Sequence, residues 1–289
     1  MICFHHNDAD GRCAAYLVKT LTQNEDSRFV EMDYGKLFDL SMIHPEEVVY
    51  IVDYSITPLE MKRLLEITKN VIWIDHHKTA IDKFKDYPEP IPGLRVDGVA
   101  ACVLTYIFLS GGELIGDLNK SVTPLFVRLI GDYDIWKFEY GDDTRAFHAG
   151  LLSRDYTPSS TLWKFLEYDE ECYNLVNDGY IIMNYKKAFA KEYLNSFSEK
   201  VMFDGYKALT VNIGNVSSDF FESASKDGYD LFISYVIDDG LWRISLRSPK
   251  DIDVSEIAKR YGGGGHRGAA GFQCKELPFK KDVLWYENI

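Results

Sequence analysis

Three short apolar runs, each of a length typical of buried β-strands, end directly in histidine and aspartate residues. Run 2–4 is followed by His6 and Asp8, run 48–52 by Asp53, and run 71–74 by Asp75, His76 and His77. Amphipathic stretches that predict helices separate the runs, a pattern typical of a parallel sheet with helices on its faces. Because ligands bind at the carboxyl ends of strands in such sheets, we expect these polar residues to meet in one crevice.

The remaining pattern predicts an α/β protein in three parts. Helices are predicted between and after the apolar runs, at 11–23, 58–70, 99–109 and 123–131. From about residue 155 the chain becomes helical and more polar, and strand-like segments follow at 207–213, 231–237 and 241–247. We expect an N-terminal parallel-sheet domain with helices on both faces at 1–154, a helical linker at 155–200, and a smaller C-terminal α/β domain with a mixed sheet at 201–289.

Charge and cysteine content restrict the partners and the compartment. The formal net charge of −13 argues against broad binding to duplex DNA, which depends on many lysine and arginine contacts, so any nucleic-acid substrate should be short. The longest near-apolar stretch, 99–109, is too short to span a bilayer, and the first ten residues lack a signal-peptide pattern. The five cysteines form no C-x-x-C pair, which favours free thiols. We therefore expect a cytoplasmic protein without a membrane partner; the sequence is also compatible with a homodimer.

The first polar cluster, HNDADG at 6–11, places His6, Asp8 and Asp10 within five positions before Gly11. Close carboxylates repel one another, and a bound divalent cation reverses that penalty. The alternative is a solvated loop in which an aspartate, such as Asp10, caps the following helix.

The second cluster, Asp75-His76-His77, favours metal binding more strongly. One histidine can hold a metal, the aspartate can orient an imidazole, and the other histidine can face a phosphate. The alternative is a helix cap followed by surface histidines. Asp53 and Asp132 lie at matching points of the alternating pattern, which weakens that alternative.

These motifs, in this order and spacing, resemble those of the DHH phosphoesterase superfamily. The resemblance implies one metal held by His6, Asp8 and Asp53, and a second held by Asp10, Asp53, His76 and Asp132. Asp53 would then bridge the metals, His77 would contact the phosphoryl group and Asp75 would orient a histidine, which makes these three the candidate catalytic residues. Asp134 competes with Asp132, which we favour because it directly follows the apolar helix.

Mixed imidazole and carboxylate ligands suit Mn²⁺ better than Mg²⁺, so we expect two divalent ions, with Mn²⁺ preferred and Mg²⁺ as the substitute. Two such ions can activate water and stabilise an in-line displacement at phosphorus. Direct hydrolysis is therefore expected, without a covalent enzyme intermediate.

The glycine-rich segment 262–272, GGGGHRGAAGF, predicts close backbone approach, because serial glycines offer no side chain to pack. Backbone N–H groups near a helix N-terminus would form an anion site there. The segment resembles the signature of the DHH-associated C-terminal domain, and its alternative is a flexible loop. Arg247 could instead be a surface arginine at a strand end, and Arg12 places a cation beside the metals. The candidate substrate-binding residues are Arg247, Gly263, Gly264, Gly265, His266, Arg267 and Arg12.

The resemblance implies a hydrolase of short oligoribonucleotides or of 3′-phosphoadenosine 5′-phosphate, similar to the nanoRNases. A cyclic-dinucleotide phosphodiesterase is the next alternative, and no residue separates the two. A pyrophosphatase or polyphosphatase is weaker, since the glycine-rich signature belongs to the nucleotide-directed side of the superfamily. A non-catalytic phosphate-binding module is the alternative of a different class.

Overall fold

The structure is a computed structural model that describes residues 1–112, 123–225 and 227–279. The chain divides into two compact units, Met1–Ile182 and Met183–Ile289. This division falls inside the segment that the sequence predicts as a linker.

A four-stranded parallel sheet forms the centre of the first unit. Its strands are β1 (Ile2–His6), β2 (Arg28–Met32), β3 (Val49–Val52) and β4 (Val71–Ile74), in the order β2-β1-β3-β4. The sequence predicts three of these strands. It does not predict β2, where Arg28 and Glu31 interrupt the apolar pattern.

Helices alternate with these strands along the chain, as expected, and further helices follow β4. They are α1 (Ala9–Leu21), α2 (Pro58–Ile67), α3 (Lys78–Lys83), α4 (Ala101–Leu109), α5 (Leu125–Asp134), α6 (Asp142–Leu151), α7 (Leu162–Leu166) and α8 (Asp169–Phe197), which continues into the second unit. Helix α2 starts at a capping box in which Thr57 Oγ1 accepts from the Glu60 N–H, while the Glu60 carboxylate accepts from the Thr57 N–H.

Both faces of the sheet are buried, as its parallel topology requires. Ile2, Phe4 and Trp73 pack in one core cluster with Met61 and Leu64 of α2. Alternate strand residues such as Cys3 and Val52 are equally buried, and α1 and α4 contact the sheet. Since successive side chains of a strand point to opposite faces, helices cover both faces, as predicted.

The second unit contains a six-stranded sheet beside α9 (Val254–Arg260). Its strands are β5 (Ser198–Phe203), β6 (Tyr206–Asn212), β7 (Leu231–Asp238), β8 (Leu241–Arg247), β9 (Gly264–His266) and β10 (Ala269–Cys274). The order is β5-β6-β7-β8-β10-β9, with a parallel β6–β7 pair among antiparallel pairs, so the prediction of a mixed sheet is confirmed.

Local signals in this unit lie where the sequence predicts them. Asp239 and Gly240 connect β7 to β8 with positive φ angles of 50° and 76°, as the tight turn of a hairpin requires. Asp253 caps α9 by accepting from the Ser255 N–H at 3.0 Å.

Within the described ranges, no helix is both long enough and apolar enough to cross a bilayer.

Candidate metal centre

Three neighbouring strands bring the candidate residues together at one edge of the parallel sheet. In the register of the sheet His5 pairs with Val52, and Val52 pairs with Ile74. The next residues, His6, Asp53 and Asp75, therefore form a row across β1, β3 and β4. The convergence that the apolar runs predict is present.

The first group of possible ligands consists of His6, Asp8 and Asp53. Nδ1 of His6 lies 2.7 Å from Oδ2 of Asp8 and 3.7 Å from Oδ2 of Asp53. Asp8 also caps α1, with Oδ1 accepting from the Gly11 N–H at 3.0 Å. A Cβ at Gly11 would lie 2.5 Å from the His6 carbonyl oxygen, so this tight turn between strand and helix requires glycine.

The second group consists of Asp10, His76 and Asp134, and a third consists of Asp53, His76 and His77. Nε2 of His76 lies 3.8 Å from Asp10 Oδ2 and 3.4 Å from Asp134 Oδ2. The same nitrogen is 3.2 Å from Oδ1 of Asp53, whose Oδ2 faces His6. Asp53 thus lies between the first and second groups, with one carboxylate oxygen directed to each.

Asp10 has a structural role in addition to its place in the cluster. Its two carboxylate oxygens accept from the N–H groups of Ala101 and Cys102, each at 2.8 Å, at the start of α4. The alternative interpretation of Asp10 as the cap of the following helix is wrong, because Asp8 caps α1 and Asp10 binds a helix N-terminus about ninety residues away. The positive end of α4 partly compensates the buried charge of Asp10.

Asp132 is not part of the ligand groups found among the described residues, and the preference for it over Asp134 must be corrected. Its carboxylate accepts from the N–H groups of Glu139 and Tyr140 at 2.9 and 3.3 Å, and from the Thr144 hydroxyl. Helix α5 continues to Asp134, and residues two apart on a helix point in nearly opposite directions. Only one of the two aspartates can therefore face His76.

Burial and mutual repulsion determine how the acidic groups titrate. Burial, reinforced by neighbouring carboxylates, raises the pKa values of Asp53, Asp10 and Asp134 above their usual range. The carboxylates of Asp53 and Asp8 raise the pKa of His6 to about 10. Burial alone would raise the pKa of Asp8, but His6 and the Gly11 N–H lower it to about 2. The cluster holds more negative charge than its protein environment compensates.

The arrangement fits divalent cations. Among the described residues, Oδ2 of Asp53 and Oδ2 of Asp134 are buried without a hydrogen-bond partner, a condition that is unfavourable for a polar atom. A cation would satisfy both oxygens and reverse the repulsion. Imidazole nitrogens and carboxylate oxygens are suitable donors for Mn²⁺, and carboxylates are suitable for Mg²⁺.

Asp75 holds His77 at the rim of this cluster. The fully buried Asp75 places Oδ1 2.7 Å from Nδ1 of His77 and accepts from the His76 N–H at 2.8 Å. The carboxylate raises the pKa of His77 to about 9. An imidazole fixed in this way beside the candidate metal ligands is suited to donate a hydrogen bond to phosphate.

The backbone of Asp53 adopts a left-handed conformation, with φ of 53°. Residues other than glycine seldom adopt this conformation, although aspartate tolerates it better than most. Its N–H donates to the Ile74 carbonyl oxygen at 3.0 Å, which ties the residue to β4. The strained conformation is therefore maintained by the sheet.

Arg12 has protein partners of its own, and Tyr34 lies beside the cluster. Arg12, a candidate phosphate contact, pairs with Glu31 of β2 at 2.7 Å and lies over the Tyr156 ring at 4.5 Å. Tyr34 was not predicted, yet its ring centre lies 5.6 Å from that of His6. No sequence signal marked Tyr34, since it is an exposed tyrosine in a loop.

The glycine-rich segment of the second unit forms the edge hairpin β9–β10. Glycine is required at two positions, because a Cβ at Gly263 would lie 2.1 Å from the Gly271 carbonyl oxygen and one at Gly265 would lie 2.6 Å from Ala270 Cα. The predicted close approach of backbone is thus present. The expectation of a helix N-terminus is wrong, since the segment follows the C-terminus of α9.

The candidate substrate contacts of this unit differ in their surroundings. Gly264 and His266 lie on the edge strand β9, and His266 is exposed. Arg267 is exposed and pairs with Asp251 at 2.8 Å. Arg247 is half-buried; one guanidinium N–H donates to the Val216 carbonyl oxygen at 2.8 Å, while Nε is buried without a hydrogen-bond partner among the described residues.

Comparisons with known proteins agree with the motifs. Residues 209–284 match the DHHA1 domain family. Oligoribonuclease NrnB of Bacillus subtilis (strain 168) is 27% identical over 292 aligned residues, covering 93% of this chain and 71% of that protein. Uncharacterized protein R106 of Acanthamoeba polyphaga mimivirus is 25% identical over 246 residues, covering 81% of this chain and 55% of that protein, so the chain spans about half of this second relative.

The fold also has a counterpart among solved structures. The pGpG-specific phosphodiesterase PggH from Vibrio cholerae superposes with a TM-score of 0.53 at 13% identity, covering 94% of this chain and 92% of that one. At this identity the likeness concerns the fold. These findings show a DHHA1 domain in the C-terminal part of the chain and a similarity to oligoribonuclease NrnB along most of its length.

Proposed function

We propose that this chain is a two-metal phosphoesterase that hydrolyses short oligonucleotides or nucleotide phosphates, as a nanoRNase or a 3′-phosphoadenosine 5′-phosphate phosphatase does. The observation that carries the proposal is the position of Asp53. Its Oδ1 lies 3.2 Å from His76 and its Oδ2 lies 3.7 Å from His6, so it joins two groups of ligand atoms. A shared carboxylate between two such groups is the arrangement expected of a two-metal hydrolase.

In this proposal His6, Asp8 and Asp53 hold one ion, while Asp10, Asp53, His76 and Asp134 hold the other. Asp134 takes the role that the sequence assigned to Asp132. When bound, divalent ions lower the pKa of water and neutralise phosphate charge. The mixed donor set supports Mn²⁺ as the preferred ion, with Mg²⁺ as the substitute.

Asp75 and His77 act on the substrate side of the cluster. Asp75 fixes the His77 ring through Nδ1, so Nε2 is the ring nitrogen that is left for a phosphoryl oxygen. The Asp75 carboxylate raises the pKa of His77, which favours an N–H on Nε2 that donates a hydrogen bond to that oxygen. This bond would orient the phosphate and stabilise charge that develops during hydrolysis.

Charge and the relatives support a short substrate. The net charge of −13 does not favour long nucleic acids or a preference for duplex DNA. The relatives bear the names oligoribonuclease and pGpG-specific phosphodiesterase. We assign substrate binding to the C-terminal part, 201–289, with Arg247 and the glycine-rich hairpin as contacts, and retain 1–154 as the catalytic part and 155–200 as the linker. No observation favours cyclic dinucleotides, pyrophosphate or a non-catalytic role over this function.

We also propose a cytoplasmic location, supported by the free cysteines of the described part of the chain, four of which are buried. For the oligomeric state we propose a homodimer, and sedimentation of the purified chain measures that state directly.

The decisive experiment is a hydrolysis panel with excess Mn²⁺. Its substrates are RNA of two to five nucleotides, longer RNA, cyclic dinucleotides, 3′-phosphoadenosine 5′-phosphate and pyrophosphate. We expect the short linear RNAs or 3′-phosphoadenosine 5′-phosphate to be hydrolysed fastest, and Mg²⁺ to support a lower rate. Preference for pyrophosphate or for long RNA would reject the proposed substrate class.

Two variants distinguish the loss of a cluster carboxylate from the general effect of removing a negative charge. Asp53→Ala removes the shared carboxylate and should abolish hydrolysis, whereas Asp86→Ala removes an exposed acid and should leave the rate unchanged. Equal activity of Asp53→Ala and the wild type would exclude the shared-ligand mechanism.

A further inference from the structure

A pocket of about 110 Å³ opens beside the candidate metal centre. Asp8, Asp10 and Asp134 supply its acidic lining, and they belong to the first and second ligand groups. Tyr133 and Trp136 line it from the segment at the end of α5. Pockets that enclose a whole small ligand usually measure ~300–1,000 Å³, so this one accommodates only part of a ligand.

Aromatic side chains also line the pocket. The Tyr133 ring stacks on His148, with ring centres 3.6 Å apart and an angle of 5° between the planes. Trp136 lies 6.0 Å from Tyr133 and 5.4 Å from Phe138. Trp136 nevertheless remains 70% exposed. An indole so exposed contributes little to the core, and a flat apolar surface next to a metal cluster suits a planar ring.

The backbone that presents Trp136 is strained. Trp136 and Phe138 have φ angles of 56° and 53°, a left-handed conformation that is uncommon for bulky residues. Such conformations persist where the surroundings enforce them, and they are concentrated at functional sites.

Asp132 enforces this conformation. Its carboxylate accepts from the N–H groups of Glu139 and Tyr140 and from the Thr144 hydroxyl, and its carbonyl oxygen accepts from the Lys137 N–H at 3.2 Å. The aspartate that the sequence marks as a metal ligand instead holds the loop that carries Trp136.

We propose that this pocket receives a nucleobase of the substrate and that Trp136 stacks on the base while the adjoining phosphate lies at the metal centre. The proposal rests on the proposed function and names the part of the nucleotide that the site recognises besides phosphate. The uncharged base avoids repulsion from the acidic lining, whereas a phosphate can approach that lining only beside cations. Asp132 is a positioning residue, since it acts through the loop.

Binding of two ligands tests the proposal without relying on catalysis. AMP and ribose 5-phosphate share the phosphorylated sugar and differ in the base. We would measure both by calorimetry in excess Mn²⁺, on the wild type, Trp136→Ala and Trp136→Phe. Base–aromatic stacking predicts that Trp136→Ala weakens AMP binding about tenfold. It should leave the affinity for ribose 5-phosphate unchanged, and Trp136→Phe should retain most of the AMP affinity.

Asp132→Asn tests the positioning role, and titration with Mn²⁺ alone serves as its control. The variant should lose affinity for AMP but not for ribose 5-phosphate or Mn²⁺. A loss of all three affinities would contradict a role confined to the loop. Trp136 is exposed, so its variants should fold even if Asp132→Asn does not.

The outcomes distinguish this inference from the proposed function. If the wild type hydrolyses short RNA but Trp136→Ala binds AMP as tightly as the wild type, the pocket assignment is overturned and the function stands. If the wild type hydrolyses nothing in the panel yet loses AMP affinity on Trp136→Ala, the function fails and the base site is supported. Equal affinity of the wild type for AMP and ribose 5-phosphate would also overturn the base site.

Discussion

Oδ2 of Asp134 lies 3.4 Å from Nε2 of His76. Asp132, two residues earlier on the same helix, directs its carboxylate to the following loop. The two aspartates of the motif GDYD at 131–134 therefore have different roles. Asp134 faces the cluster, and Asp132 binds the loop that follows the helix.

We predict that substitutions of these two aspartates have different effects. Asp134→Asn should weaken Mn²⁺ binding by at least about tenfold, since it removes a charged donor near His76, while the free energy of unfolding without metal changes little or rises. Asp132→Asn should retain Mn²⁺ affinity and lower that free energy by about 1–3 kcal/mol, because an NH2 group in place of Oδ2 cannot accept from the Tyr140 N–H or the Thr144 hydroxyl. Calorimetric titration and urea unfolding measure these effects. The reverse pattern would restore Asp132 as the ligand.

We predict that Asp53→Asn stabilises the metal-free protein and abolishes its response to metal. Asp53 is fully buried among other acids, which raises the pKa of its carboxyl. Asparagine removes the charge and also tolerates the left-handed backbone at this position. The free energy of unfolding without metal should rise by on the order of 1 kcal/mol, equivalent to about one pKa unit.

Thermal unfolding with and without Mn²⁺ measures this effect. The wild type should gain stability from the ion, whereas Asp53→Asn should not. Asp86→Asn, at an exposed position, serves as the matched control and should respond as the wild type does. Destabilisation of the metal-free Asp53→Asn variant would contradict the proposed repulsion.

We predict that the metal-free protein loses stability as pH rises. Burial raises the pKa values of Asp53, Asp10 and Asp134, so the folded state retains protons that the unfolded chain releases above about pH 4. The pKa of His6 rises from 6.5 to about 10, because of Asp53 and Asp8, so its contribution is lost between those values. The lowered pKa of Asp8, about 2, acts in the opposite direction and only in acid.

Mn²⁺ displaces these protons, so the ion should stabilise the protein more at about pH 8 than at about pH 6. Melting temperatures across this range, with and without the ion, test the sign. Equal stabilisation at both pH values would show that metal binding does not compete with the retained protons.

We predict that Arg247 contributes to substrate binding. Its guanidinium is half-buried, and burial lowers its pKa. Because Nε is buried without a hydrogen-bond partner among the described residues, it is available to donate to a bound anion. Arg247→Ala should raise KM for a short RNA by about tenfold, as expected for loss of a charged hydrogen bond. Arg243→Ala is the control, since Arg243 lies on the same strand but is exposed and pairs with Asp238 at 2.8 Å. Similar kinetics of both variants would argue against an anion contact at Arg247.

Much of the fold follows from local patterns. The apolar runs before His6, Asp53 and Asp75 predict strands because β-branched residues in short buried stretches favour parallel sheets. The turn at Asp239 and Gly240 and the cap at Thr57 are equally local, since each depends on residues within a few positions. By contrast, β2 was not predicted, because Arg28 and Glu31 interrupt the apolar pattern. The partner of Glu31 is Arg12, which is distant in sequence.

The sequence alone determined which strand ends carry histidine and aspartate, and thereby that a cluster of possible metal ligands would form there. The tertiary structure decided which residues each aspartate carboxylate contacts. Asp10 accepts from the start of α4, and Asp134 rather than Asp132 faces His76. The physical reason is that strand periodicity and turn chemistry act over a few residues, whereas the direction of a helical side chain and its hydrogen-bond partners depend on packing between distant segments.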